Sequence, residues 1–384
     1  YVAEGGARGV VEVVDLESGE LKRSFPAGHT PMSPVLREGK LYVACRFDSR
    51  VLEMDAAAGT VLNSWNVPRE PVVLAVSPDG RKIWAAGHLP AGAADGDFTA
   101  AALTLVEDGK AVHFPLSNGT QGVRGMAISP DGRYLAVAHV LSRYQAPTTQ
   151  LDRGWMNTNA VTVINTDEPD KPHPVLLDDP DAGAANPWGV SFSGDGGKLF
   201  VTHAGTHELS VIDFPALLER MKREDRSNEP VSERLGFLHG LRARIALPLN
   251  GPRSVASDGK NVYVAGYFSD SLAEISLKDA RKSRAIPLNA PFRPSREKLG
   301  ERYFNDASHC FKGWQSCATC HPDGRVDGLN WDLLNDGMGN PKNTRTMFLS
   351  HRTSPVMTLG VRASAEVAVT AGFVHIQFLA PSGA

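Results

Sequence analysis

The chain of 384 residues carries 40 Lys and Arg against 43 Asp and Glu, a net charge of −3, and 42% of its residues are hydrophobic. That length holds one large domain and a smaller one, and the near-neutral balance provides no basic field to draw in nucleic acid. No apolar run reaches the roughly 18 residues needed to span a bilayer, so no membrane span is expected. The chain opens at Tyr1 rather than Met, as expected of a processed or a truncated protein.

Residues 1–292 are repetitive. Ser77-Pro78-Asp79-Gly80 returns as Ser129-Pro130-Asp131-Gly132 and as Ser193-Gly194-Asp195-Gly196, with a shorter Ser257-Asp258-Gly259. Each turn follows a short apolar strand: Val72 to Val76, Gly125 to Ile128, Gly189 to Phe192, and Ser254 to Ala256. A second strand comes after it, at Ile83 to Ala86, Leu135 to Ala138, Leu199 to Thr202, and Val262 to Ala265. Leu41 to Ala44 and Tyr1 to Ala3 fit the same column. A third strand alternates apolar and polar residues, as in Val11 to Val14, Val161 to Ile164 and Leu209 to Ile212. A fourth is expected at Lys22 to Phe25, Val61 to Trp65, Val112 to Pro115, and Ala285 to Leu288.

Strand–turn–strand units at this spacing predict a mainly β chain, a β-propeller. Six copies are counted, the first without its opening strand, which leaves six or seven blades open. Two insertions interrupt the pattern. One runs from about Val140 to Asn159 and carries Arg143, Tyr144, Arg153, Trp155 and Met156; the other, Pro215 to Arg244, begins with a charged helical stretch. The units resemble the YVTN family of propellers on Leu41-Tyr42-Val43-Ala44 and the Ser-Pro-Asp-Gly turns. That resemblance implies the fold and leaves the activity open.

Histidines follow the second strands. His139 and His203 stand just past them, with His88 and His207 nearby. Equivalent positions of successive blades converge on one rim. There they either form hydrogen-bonded strand ends or serve as metal ligands and proton carriers. With Arg143 and Arg153, His139 and His203 form the candidate catalytic set on the propeller.

Beyond residue 292 the period-2 pattern stops. Arg296 to Asn305 reads as a helix, and Ala363 to Ala371 as another that ends at Gly372. Between them stands Cys317-Ala318-Thr319-Cys320-His321. C-x-x-C-H is the attachment signature of a c-type haem: two thiols for the vinyl groups and an adjacent histidine as proximal iron ligand. No second Cys or His pair lies at zinc-like spacing. One covalent haem c is therefore expected on Cys317, Cys320 and His321, with Trp314 and Trp331 as walls. Arg325, Arg345 and Arg362 are the candidate propionate partners. Cys45 and Cys310 remain, either bridged or free. Covalent haem attachment takes place outside the bacterial cytoplasm, so a periplasmic or otherwise exported location is expected.

The order of elements in residues 293–384 resembles the N-terminal haem domain of bacterial di-haem cytochrome c peroxidases and their relatives, the methylamine-dehydrogenase maturation enzymes. It rests on Gly300-Glu301-Arg302-Tyr303-Phe304, the C-x-x-C-H, Asn343-Thr344 and Gly360-Val361-Arg362. The resemblance implies a small α-helical cytochrome c domain, and by analogy a calcium ion near Asn343. The pattern also departs from that family, whose enzymes use a second haem domain, whereas this sequence has a single C-x-x-C-H. Its distal glutamine and acidic residue have no counterpart here.

The sixth iron ligand divides the readings. His375 is the leading candidate, ahead of Met357, His351, Met338 and Met347; an open site comes next, and His139 or His203 from the propeller rim last. A saturated iron predicts electron transfer with a redox partner protein, a second haem domain or a further subunit. An open one predicts a peroxidase-like oxidoreductase. A third reading makes the propeller a binding scaffold with a structural or sensory haem.

Overall fold

The computed structural model describes residues 1–146, 156–224, 231–279, 282–289, 293–333, 339–357 and 359–379. Six antiparallel sheets follow one another along the first three-quarters of the chain. Blade I has three strands, β1 (Val2–Glu4), β2 (Val10–Val14) and β3 (Leu21–Pro26). Blade II comprises β4 (Pro31–Arg37), β5 (Lys40–Cys45), β6 (Arg50–Asp55) and β7 (Val61–Asn66). Blade III comprises β8 (Pro71–Val76), β9 (Ile83–Gly87), β10 (Ala102–Glu107) and β11 (Lys110–Pro115). Blade IV is built from β12 (Thr120–Ile128), β13 (Tyr134–Ser142), β14 (Asn157–Asn165) and β15 (His173–Leu176). Blade V has β16 (Pro187–Phe192), β17 (Lys198–His203), β18 (Glu208–Asp213) and β19 (Arg242–Ala246). Blade VI has β20 (Pro252–Ser257), β21 (Asn261–Gly266), β22 (Ser271–Ser276) and β23 (Ser283–Pro287).

The chain is a β-propeller, with six blades among the described residues. Inner strands β4, β8, β12, β16 and β20 pack against one another in sequence order. Apolar side chains fill the gaps between facing sheets. Leu103 of blade III meets Val137 and Ile164 of blade IV, and Phe200 of blade V meets Val264 and Ile275 of blade VI.

The recurrent tetrapeptide has a local cause. Ser77 Oγ donates to Asp79 Oδ1 and accepts from the Lys82 N–H, while Gly80 takes φ +71°. Ser129 with Asp131 and Ser193 with Asp195 repeat that arrangement. A side-chain oxygen thus satisfies the turn where the ladder ends.

The insertion expected at 140–159 is shorter than that. β13 and β14 stay paired out to Ser142 opposite Asn157, because Val140, Leu141, Thr158 and Asn159 continue the buried faces. Arg153 and Trp155 lie outside the described residues. The second insertion holds α1 (Phe214–Glu224), which seats Leu217 in the core between blades IV and V.

Residues 293–379 form short helices and turns laid on the propeller: α2 (Arg296–Asn305), α3 (Cys317–Cys320) and α4 (Ala365–Ala371). A two-stranded pair, β24 (Asn330–Trp331) and β25 (Lys342–Asn343), lies between α3 and α4. Gly372 does not stop α4 as expected. It takes helical dihedrals (φ −60°), and a π turn carries the chain on to Ile376.

Candidate functional site

α3 is one helical turn, so Cys317 and Cys320, three apart, share a face. The turn closes with the His321 N–H on Cys317 O (2.9 Å), and Ser316 N–H donates to Thr319 Oγ1 (2.9 Å). The thiols are unbridged, as are Cys45 and Cys310. Burial pushes the Cys317 thiol up to about 11 and raises that of Cys320 further, so both stay protonated at neutral pH.

Side-chain amides from the propeller hold this segment. Gln121 Nε2 donates to Thr319 O (2.9 Å), and Asn159 Nδ2 to Trp314 O (3.1 Å). Asn157 Nδ2 donates to Gln315 Oε1 (2.9 Å) and lies 3.5 Å from Cys320 Sγ. Asn186 donates to Ser316 Oγ and accepts from Thr319 Oγ1, both at 2.8 Å. Gln121, Asn157 and Asn159 are fully buried. Each such bond contributes roughly 1 kcal/mol net, and leaving its partner unpaired costs more. Gly183 lets the two backbones meet: a Cβ there would lie 2.4 Å from Trp314 Cα.

A charged clasp continues the contact beyond His321. Asp323 accepts from Arg46 Nη2 (2.6 Å) and Arg124 Nη2 (2.7 Å), and His88 Nε2 stands 3.6 Å away. Arg46 also pairs with buried Glu70, which takes Arg325 as well (2.5 Å). Burial would raise the Asp323 carboxyl, but Arg124, His88 and Arg46 outweigh it and hold it well below the usual range. A third anchor joins His207 Nε2 to Asp306, 3.2 Å apart.

None of these anchors was foreseen from the sequence. Their signal was there: buried polar residues in strands otherwise apolar, such as the Asn157-Thr158-Asn159 run. Asp323 gave none, since its arginine partners Arg46 and Arg124 are distant in sequence.

The propeller histidines serve the blades. His139 is fully buried, with Nε2 on Thr162 Oγ1 (2.6 Å) and Nδ1 on Val140 O (3.0 Å). His203 is alike, on Ser210 Oγ (2.7 Å) and Ala184 O (3.1 Å). With both ring nitrogens occupied and no exposure, the geometry corrects the catalytic expectation for these two and withdraws them as iron ligands. Arg143 hydrogen-bonds Ser232 O (2.7 Å) and Glu233, which ties the blade IV loop to the second insertion. Arg153 falls outside the described residues. No group of three His, Cys, Asp or Glu gathers as a metal site among the described residues.

The expected haem walls and propionate partners divide. Trp314 is buried with its Nε1 unpaired, and Trp331 is buried with its Nε1 on Asp327 Oδ2 (2.7 Å). Trp331 shares a cluster with Cys320, Leu329, Tyr144 and Met156. Arg325 is committed to Glu70 and lies over the Phe47 ring, which takes it from the propionate role. Arg345 is exposed, and Arg362 is half-buried, its backbone bridging Val356. Asn343 is exposed beside Asn330.

Among the sixth-ligand candidates, His375 is exposed on the π turn, two residues before Gln377, whose Nε2 donates to Cys317 Sγ (3.0 Å). The Met347 N–H donates to Gly324 O (2.9 Å). Met357 and His351 are exposed, and Met338 is outside the described residues.

The residues fit a haem. His321 is largely buried, which lowers its proton affinity, and its Nδ1 is buried without a hydrogen-bond partner among the described residues. Phe348 faces Gly324, where an added Cβ would come within 3.2 Å of its ring, and it is 62% exposed. Leu349, Met357, Leu359, Val361 and Val367 are exposed too. Apolar surface left open along residues 348–367 of the same C-terminal segment suits cover by a flat apolar group.

The chain is similar to the beta subunit of hydrazine synthase. It is 28% identical to that subunit from Kuenenia stuttgartiensis over 213 residues, 53% of each protein. A stretch of 58 residues is 41% identical to the gamma subunit from the same organism, covering 15% of this chain and 16% of that subunit. The chain thus spans about half the length of the beta subunit and far less of the gamma subunit. A solved hydrazine synthase structure from Kuenenia stuttgartiensis superposes with a TM-score of 0.50 at 20% identity, over 70% of this chain and 89% of that one. A streptogramin B lyase structure gives 0.46 at 14% identity, over 68% and 70%. No family model matches the chain.

Proposed function

We propose that this chain is an exported haem c redox subunit, with residues 1–292 as propeller platform and residues 293–384 as haem-bearing segment. It would act in a multi-subunit enzyme of the hydrazine synthase kind, moving electrons between a partner subunit or second haem domain and the haem. The observation that carries the reading is α3. Its two thiols share one face next to a largely buried imidazole, and the turn is held on the propeller rim by four side-chain amides.

When bound, the haem supplies one-electron chemistry. Cys317 and Cys320 would hold it covalently and His321 would ligate its iron. Gln377 and Asn157 orient the two thiols through hydrogen bonds to sulfur. The cluster of Tyr144, Met156, Leu329 and Trp331 keeps water from the Cys320 side, and low solvent access is one of the protein's controls on haem potential. Similarity to both a beta and a gamma subunit supports an assembly role for the propeller periphery.

The test is expression in a host that matures c-type cytochromes, followed by alkaline pyridine and EPR spectra. One covalent haem per chain is expected, absent from Cys317→Ala/Cys320→Ala, with a low-spin ferric signal that peroxide leaves unchanged. A high-spin signal that shifts with peroxide replaces electron transfer by the peroxidase-like reading. A chain matured alongside a functioning control cytochrome yet lacking haem refutes both.

A further inference from the structure

The inner strands β4, β8, β12, β16 and β20 all carry a bulge near the same register, and on the last three it falls at residues that meet one another. Pairing slips between Gln121 and Gly125 on β12, between Pro187 and Val190 on β16, and between Pro252 and Ser254 on β20. A bulge re-aims a side chain out of the pleat. Here it brings together Arg124, Trp188 and Arg253.

The guanidinium carbons of Arg124 and Arg253 lie 4.4 Å and 4.2 Å from the centroid of the Trp188 ring. Arg253 stands 3.8 Å from the Tyr267 centroid and 5.0 Å from that of Phe268 as well, so three rings surround it. Arg124 and Trp188 border a small cavity whose other side is Ala318, Thr319 and Pro322 of the C-x-x-C-H segment.

The two arginines differ in one respect. Arg124 has the Asp323 carboxylate at 2.7 Å. Arg253 has no carboxylate or hydrogen-bond partner among the described residues, and its Nε is buried and unpaired. Rings stack on the faces of a guanidinium, whereas carboxylates and oxyanions meet its donor edge in plane. With rings against it, the edge is what Arg253 has to offer. Lys298 adds a second cation, its Nζ 4.0 Å from the Tyr267 centroid, although Glu301 already holds it at 2.9 Å.

We propose that Arg253, flanked by Trp188 and Tyr267 at the β20 bulge, binds a carboxylate or comparable small oxyanion on the side where Lys298 of α2 meets Tyr267. An anion there relieves the repulsion between Arg253 and Arg124. Burial, and after it that repulsion, lowers the Arg253 guanidinium to about 10, still cationic at neutral pH. The carboxylate comes either from solution or from a propionate of the haem.

Acetate serves as the probe. Isothermal titration at pH 7 in low-chloride buffer would compare the haem-loaded chain with the haem-free Cys317→Ala/Cys320→Ala form. Saturable binding to both forms, weakened at least tenfold by Arg253→Gln, assigns a free anion. Binding to the haem-free form alone assigns the propionate. The absence of saturable binding to either form overturns the proposal, as does an affinity that Arg253→Gln leaves unchanged. Arg253→Lys retains the charge but loses the planar fork, so it must also weaken binding; it decides the matter if the Gln variant misfolds. The haem-free arm keeps this outcome separate from that of the redox reading.

Discussion

Asp323→Asn tests the clasp that ties the C-x-x-C-H segment to the propeller. The carboxylate accepts from Arg46 at 2.6 Å and Arg124 at 2.7 Å. An amide has one oxygen, so one arginine would face an NH2 group. Arg46 retains Glu70, which leaves Arg124, inward on β12, as the cation without a carboxylate. Charge-assisted bonds contribute roughly 1.5–3 kcal/mol against about 1 for neutral ones, and Asp323 is about a third exposed, which reduces the loss. About 2 kcal/mol results, roughly thirtyfold in the opening of the segment. Hydrogen exchange reads this locally. Amides of Thr319, His321 and Gly324 should exchange about thirtyfold faster at pH 7, while Val137 and Ala138 of β13 keep wild-type rates. The sign with pH follows from a folded carboxyl held below its unfolded value. The stabilisation is fully present above about pH 4 and is lost as pH falls below that. Unchanged exchange at pH 7, or an advantage of wild type that does not shrink on acidification below pH 4, would refute the reasoning.

Burial lowers His139 to about 4, so the folded chain binds fewer protons than the unfolded chain between there and about 6.5. Stability should fall as pH drops through that window, by about 3 kcal/mol from this residue alone, with His88 and His203 adding in the same direction. Urea midpoints of wild type and His139→Gln at pH 7.5 and 4.5 measure it, and equal pH slopes would count against a neutral buried imidazole. Gly183→Ala should cost about 3 kcal/mol of docking, because the new Cβ meets the backbone at Trp314 and Gly313 rather than a side chain that can turn away. Exposed Trp314 fluorescence with an intact sheet spectrum is the expected result; unchanged fluorescence would show that the contact has slack.

What the sequence revealed depended on whether neighbours along the chain carried the signal. Second strands such as Leu135 to Ala138 are buried on both faces and read as continuous apolar runs. The helix Arg296–Asn305 is capped by Ser295, so its limits were legible. β15 and β19 were not, since His173-Pro174 and Arg242-Ala243-Arg244 show no apolar alternation and become strands only by pairing with β14 and β18. β4 was hidden likewise by Ser33 and Pro34. At the site, the C-x-x-C-H was legible because covalent chemistry fixes its spacing. The amides and the Asp323 contacts were not, because each joins residues more than a hundred positions apart.

The two kinds of anchor do different work. Gln121, Asn157, Asn159 and Asn186 come from blades IV and V and bond backbone and short side chains of residues 314–320 at fixed angles, so they set where α3 sits. The ion pairs come from blade II through Arg46 and blade III through Glu70, reaching Asp323 and Arg325 beyond His321. The segment therefore bridges four blades, and sliding one blade past another strains bonds on both sides of His321. Buried amides lose their full desolvation cost when unpaired, and a buried charge loses more, so neither half of the mount opens alone at low cost. A haem at His321 would keep its place relative to the whole propeller, which suits electron transfer to a partner docked at a distance on that propeller.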